Sequence, residues 1–293
     1  MIVNYWPAWF RALYGGEWPV NYCTFDLETT GYSMERDVIV EWGHCLVQDG
    51  EPVDRLSLII DWTNHPILPD HWLRQRLQQV ASSMAANGSK CHVTYERMKK
   101  EGVKPDKALP FILKFIRTLA ERDSLFVAHG GYAFDEKMLA SNFRGFGIAQ
   151  DFTFGDNNLF DTDCVEKASQ VVTHPRMHPR KGDTLRSYFH RVKYTRMAGV
   201  KSNLDTHCYE KYFKQKGVQK CDMHGALTDA HCCHLMMECW REQITGEHLA
   251  PPVGGEEAPS GNGKKPPPSP YPAPPRPAKA ATVPVRRRGQ RNN

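Results

Sequence analysis

The sequence has no long apolar run. Its first 22 residues are aromatic rather than continuously apolar, and Arg11 and Glu17 interrupt them. They match neither a secretory leader nor a membrane span, which needs about 20 successive apolar residues. No contact with a membrane is therefore expected. Trp6, Trp9, Phe10 and Leu13 can share one face of a short helix, and packing onto the domain is their expected use. Cysteine pairs at structural-zinc spacing are also missing, although the chain has nine cysteines. Cys221-x2-His224 and His231-Cys232-Cys233-His234 contain metal-capable residues, but not as paired Cys-x2-Cys. The second group falls inside an expected helix, where adjacent side chains point in different directions. Reduced thiols and a cytoplasmic location are expected. There is no internal repeat.

Large apolar side chains are nearly absent from residues 251–293, which hold twelve of the 21 prolines. Such a segment cannot bury enough apolar surface to offset the entropy of ordering it. The expectation is a disordered, partly polyproline tail. It carries eight Lys and Arg against two Glu, while the whole chain is +5, so the remainder is close to neutral. A basic tail of this kind can hold phosphate backbone in a salt-dependent way, or serve as an inert linker or a partner contact. The expected organisation is an aromatic extension at 1–19, one folded domain at 20–250, and the tail.

What the domain does contain begins with Phe25-Asp26-Leu27-Glu28-Thr29-Thr30-Gly31. Successive side chains alternate faces in a strand, so Asp26 and Glu28 project together. No basic residue separates them, and Val20, Tyr22, Cys23 and Phe25 make the strand apolar. Unpaired carboxylates are costly to bury, and a hard divalent cation relieves that cost through oxygen ligands. Gly31 permits a sharp turn beside a ligand.

The remaining pattern predicts strands at 37–47, 55–61 and 125–129, with Asp49-Gly50 as a hairpin turn. Helices are predicted at 70–86, 106–121, from about 134, and at 226–243. Pro110 would be tolerable only in the first turn of its helix. Strands first, then strands alternating with helices, imply an α/β mixed sheet covered on both faces.

Three further stretches join the first. They are Val127-Ala128-His129-Gly130-Gly131-Tyr132-Ala133-Phe134-Asp135, Phe160-Asp161-Thr162, and His224-Gly225-Ala226-Leu227-Thr228-Asp229-Ala230. In this order over residues 20–245, the sequence resembles the DnaQ-like, DEDDh-type 3′–5′ exonucleases, the family of the proofreading epsilon subunit of bacterial DNA polymerase III. That resemblance implies a ribonuclease-H-like fold and two divalent ions, Mg²⁺ or Mn²⁺, held by Asp26, Glu28, Asp135 and Asp229. It implies that Asp26 bridges both ions, that Glu28 and Asp229 complete the site of the attacking water, and that Asp135 supports the second ion. His224 is the implied general base, since histidine titrates near neutrality. Residues five apart in a helix diverge by about 140°, so His224 is expected in the loop before the helix and Asp229 in an early turn. Asp161 matches a supporting acid, whereas Asp163 has no counterpart.

Thr29, Thr30, Gly31, His129 and Phe134 are the candidate substrate contacts within these motifs. His129 is followed by Gly130 where the family usually has Asn, which removes one local hydrogen bond. Segment 174–201 is the candidate guide for a strand, with a solvated basic loop as the alternative reading. Arg186 and Lys193 lie in it among six other basic residues facing only Asp183, interleaved with Tyr188, Phe189 and Tyr194, and aromatic rings stack on bases. The implied activity is a metal-dependent 3′–5′ exonuclease releasing nucleoside monophosphates from single-stranded or frayed DNA 3′ ends. Its implied setting is proofreading beside a separate polymerase that the tail could tether. An exoribonuclease of the same fold is the nearest alternative, and an idle nucleic-acid-binding module a more distant one.

Overall fold

Alternating apolar residues early in the chain form an antiparallel meander of β1 (Tyr22–Thr29), β2 (Ile39–Gln48) and β3 (Glu51–Ile59). The computed structural model describes residues 17–245, apart from 87 and 172. The expectations for residues 1–16 and for the proline-rich tail therefore lie outside the described residues. Asp49 and Gly50 join β2 to β3 with φ of 51° and 83°, the paired left-handed residues that a two-residue hairpin favours. β4 (Leu125–Ala128) runs parallel to β1, and β5 (Leu159–Asp161) parallel to β4. The sheet order is β3-β2-β1-β4-β5, a ribonuclease-H-like mixed sheet, as the sequence predicts.

Seven α-helices are described: α1 (Asp70–Ala86), α2 (Tyr95–Glu101), α3 (Pro105–Ala120), α4 (Asp135–Gly145), α5 (Thr162–Gln170), α6 (Leu185–Tyr194) and α7 (Ala226–Thr245). A π-helical segment, Leu204–Phe213, precedes α7. Pro110 lies past the first turn of α3, contrary to expectation. Its missing N–H forfeits one helical hydrogen bond. The strongly apolar face of α3, with Leu109, Ile112, Phe115, Ile116 and Leu119 all buried, offsets that loss. No helix among the described residues is long and apolar enough to cross a membrane.

Strand alternation divides the core into two layers. Phe25, Leu27, Trp42 and Phe126 face α1, α3 and α4. Tyr22, Val47, Val127 and Phe160 face α5, α6 and α7. Asp26 and Glu28 share a face with Tyr22, so they point toward α7 from the carboxyl end of β1. Open α/β sheets bind ligands at the carboxyl ends of their strands.

Candidate active site

Register fixes what surrounds the two carboxylates. In the β1–β2 pair, Asp26 stands opposite Gly43, and Glu28 opposite Glu41. Directly opposed residues share a face, so Gly43 lies beneath the start of α7. A Cβ there would come within 2.1 Å of the Ala226 backbone. The empty position lets α7 lie against the sheet and brings its first-turn Asp229 over β1. Asp26, Glu28 and Asp229 each offer a carboxylate oxygen, and the three lie within 4.8 Å of one another.

Glu41 completes this corner, and the sequence reading did not single it out. It is 3% exposed, accepts a hydrogen bond from Ser57 Oγ at 2.5 Å, and accepts another from the backbone N–H of Ala226 at 3.3 Å. It thereby caps the otherwise unsatisfied first turn of α7. The alternation of β2 was the available signal, because Glu41, Gly43 and Cys45 share one face.

Asp135 enters from the other side of the sheet edge, in the first turn of α4, where it is 3% exposed. Burial and then the charge of Asp161 push its carboxyl up to about 8. Asp26 is raised well above the ordinary carboxylate range by burial, then by Asp229, Asp135, Glu28 and Glu41. Glu28 is raised by burial, then by Asp229, Glu41 and Asp135. Asp229 is pushed up to about 7, chiefly by burial. Like charges packed this closely favour protons or cations. The donor set is all oxygen, which suits Mg²⁺ or Mn²⁺.

Asp26, Glu28 and Asp229 open onto a cleft of about 400 Å³, whereas Asp135 is not among its lining residues. Asp26, Glu28, Thr29, Thr30, Gly31, Phe134, His224 and Asp229 line it. His224 stands in the loop before α7 with φ +68°, and its N–H donates to Asp229 Oδ1 at 3.2 Å. Thr29 Oγ1 donates to the Gly31 carbonyl, and Thr30 Oγ1 donates to Asp37 Oδ1, at 2.8 and 2.9 Å. Arg76 of α1 clamps Asp37 through two nitrogens. A Cβ at Gly31 would lie 1.9 Å from Arg76 Nη2, so the glycine allows this close approach. Tyr32 stands at the mouth, 87% exposed, with its ring edge-on to Phe134 at 5.8 Å.

The other predicted substrate contacts do not line this cleft. His129 lies against the start of α5, with Nδ1 3.0 Å from Thr162 Oγ1. Lys193 donates to Asp163 Oδ2 at 2.7 Å, and Arg186 grips both oxygens of Glu136 at 2.9 and 2.7 Å. Segment 174–201 is in part α6, whose Tyr188 and Phe189 are fully buried. Only Tyr194 of its three aromatic rings is exposed, at 62%. Arg186 and Lys193 faced no acid in the sequence because their partners, Glu136 and Asp163, come from α4 and α5.

A second group, Asp161, Asp163 and Cys164, is already satisfied. Asp161 Oδ1 accepts from the backbone N–H groups of Gly130, Asp163 and Cys164. Asp163 accepts from Lys167, Lys193 and Ser202. Burial raises the Asp163 carboxyl, but His129 and Lys193 outweigh it and leave it below the usual range.

No protein-family model matches the sequence, and no curated protein is significantly similar to it. Among solved structures, E. coli exonuclease I in complex with a dA16 oligonucleotide aligns at 11% identity and TM-score 0.49, over 77% of this chain and 41% of that one. A second exonuclease I structure aligns at 12% identity and TM-score 0.47, over 76% and 40%. A product-bound exonuclease I aligns at 12% and 0.45, over 78% and 44%. The chain thus spans about two fifths of the length of these structures.

Proposed function

We propose that the chain is a metal-dependent 3′–5′ exonuclease acting on single-stranded or frayed DNA ends and releasing nucleoside monophosphates. One observation carries this reading: Asp26, Glu28 and Asp229, far apart in sequence, converge within 4.8 Å beside a histidine-lined cleft. Asp135 is close enough to raise both strand carboxylates. A structural role would pair such acids with Lys or Arg, as the molecule does for Asp163 and Glu136. Here the nearest neighbours are more acids.

Asp26, Glu28, Asp229 and Asp135 would hold the divalent ions. When bound, these supply Lewis-acid polarisation of the phosphoryl group and charge stabilisation of the leaving oxygen. The protein's own residues do the rest. His224 takes the proton of the attacking water. Tyr32 and Phe134 stack the terminal base. The Thr29–Gly31 turn, braced by Asp37 and Arg76, presents backbone at the 3′ end. The motif resemblance extends the proposal to proofreading or repair beside a separate polymerase, in the manner of the epsilon subunit.

The test uses 5′-labelled single-stranded DNA and RNA of one sequence, with Mg²⁺, Mn²⁺ or EDTA, alongside Asp26→Ala. A shortening ladder on DNA that EDTA and the substitution abolish is the expected result. A ladder on RNA alone makes the protein an exoribonuclease, and binding without any ladder makes it an idle module.

A further inference from the structure

His224 is held at two points. Besides the bond from its N–H to Asp229, its imidazole Nε2 lies 3.6 Å from Asp205 Oδ2. Its backbone is left-handed, with φ +68°. A non-glycine residue there is uncommon, and such a conformation persists where the surroundings over-determine it.

Asp205 is fixed as firmly. It belongs to the first turn of the π-helical segment. That segment hangs from Glu166 of α5, whose fully buried carboxylate accepts from His207 Nε2 at 2.8 Å, Lys211 Nζ at 2.7 Å and Tyr212 OH at 2.6 Å. On its other side Trp240 of α7 donates to Tyr212 OH at 3.1 Å. The segment is therefore braced between α5 and the helix that carries Asp229. A carboxylate reaches His224 from a scaffold, not from a loose loop.

We propose that Asp205 is a positioning residue for His224, holding Nε2 as the N–H nitrogen so that Nδ1 keeps the lone pair that accepts a proton. This rests on the nuclease reading above. The two imidazole nitrogens are chemically distinct, and the partner of one decides the role of the other. At 3.6 Å Nε2 and the carboxylate oxygen stand just beyond hydrogen-bond distance. Both side chains are about 30% exposed, which leaves room for the small rotation that closes it. The opposite use of the same contact is a latch that keeps His224 out of reach of substrate.

The test compares full-length wild type with Asp205→Asn, Asp205→Glu and Glu210→Gln. Glu210 is a surface residue on the same segment, paired with Lys214. On labelled single-stranded DNA, D205N is expected to lose roughly 10- to 100-fold in kcat with KM unchanged, as for other carboxylates that orient a histidine. D205E should recover part of the rate, and E210Q should match wild type. In parallel, ¹⁵N NMR of histidine-labelled protein in EDTA reads the tautomer at about pH 9, where an ordinary histidine is neutral. The His224 signal is assigned by its loss in His224→Gln. Wild type should show the Nε2–H form, and D205N a mixture. An unchanged kcat in D205N or an unchanged tautomer would overturn the proposal, and a raised kcat would replace it with the latch. If wild type hydrolyses nothing, the nuclease reading falls, and the tautomer measurement alone upholds or overturns the pair.

Discussion

Asp26 and Gly43 face each other across β1 and β2, and the bare glycine is what allows the Ala226 backbone to settle above the carboxylate. The position of Asp229 depends on that contact. Gly43→Ala would place a methyl group 2.1 to 2.3 Å from backbone atoms of Ala226 and Leu227, a distance no rotamer change relieves. The start of α7 must rise, carrying Asp229 and His224 with it. Overpacking of this kind costs about 1–3 kcal/mol, which lowers Tm by roughly 2–4 °C per kcal/mol at this size. The activity loss should exceed the stability loss: hydrolysis at 25 °C falls at least about tenfold in protein that circular dichroism shows to be folded. Full activity in a folded Ala variant would mean that the helix contact does not set the site.

Without metal, the acid cluster should make the protein less stable as pH rises. Asp135 has a folded-state pKa pushed up to about 8, against about 3.9 when unfolded. Between those values the folded state holds a proton that the unfolded state has lost. Stability is therefore fully present below about pH 4 and declines as pH climbs through about 8. Asp135→Asn has no proton to lose. In EDTA, its Tm advantage over wild type should grow from near zero at pH 4 to several degrees at pH 8. Adding Mg²⁺ or Mn²⁺ should raise the wild-type Tm at pH 8 and move the Asn variant much less. A Tm difference that is flat with pH would show that Asp135 is an ordinary surface-like carboxylate.

Four of the five strands and the long helices were legible because each rests on a local pattern, whereas the three-residue β5 was too short to show one. The alternation of β1 and β2 and the Asp49-Gly50 turn all appear at the expected places. So does the amphipathic face of α3. Asp26, Glu28 and Asp229 were singled out by motif spacing, and the fold brings their carboxylates within 4.8 Å of one another. Glu41 and Asp205 were missed because their meaning is non-local. Glu41 matters only through a register that sets it against Glu28 and a helix 185 residues later. The acidic partners of the basic segment were hidden for the same reason. Arg186 and Lys193 stood out in sequence because Glu136 and Asp163 are supplied from elsewhere in the fold.

Arg186 therefore offers a direct contrast between structural and substrate roles. It holds Glu136 with two hydrogen bonds, and Glu136 also accepts from the Phe154 backbone N–H at 3.2 Å. Arg186→Gln strands a carboxylate whose side chain is 10% exposed. Breaking such a pair costs about 3 kcal/mol or more. A lower Tm is expected with KM for single-stranded DNA unchanged, and the double variant Arg186→Gln/Glu136→Gln should regain most of the lost stability. A raised KM at unchanged Tm would instead give Arg186 to the substrate.

Tyr32 should behave in the opposite way. Its side chain is 87% exposed at the cleft mouth and packs only edge-on against Phe134, so the fold gains little from it. An aromatic ring left in water beside paired acids is a stacking surface for a base, worth about 1–3 kcal/mol by alanine substitution. Tyr32→Ala should leave Tm within about 1 °C, raise KM for single-stranded DNA roughly five- to a hundredfold, and change kcat far less. Tyr32→Phe should retain near-normal KM, because the stacking face survives without the hydroxyl. If the alanine variant binds as tightly as wild type, Tyr32 is no part of the platform for the terminal base. If the phenylalanine variant fails as badly as alanine, the hydroxyl and not the ring makes the contact.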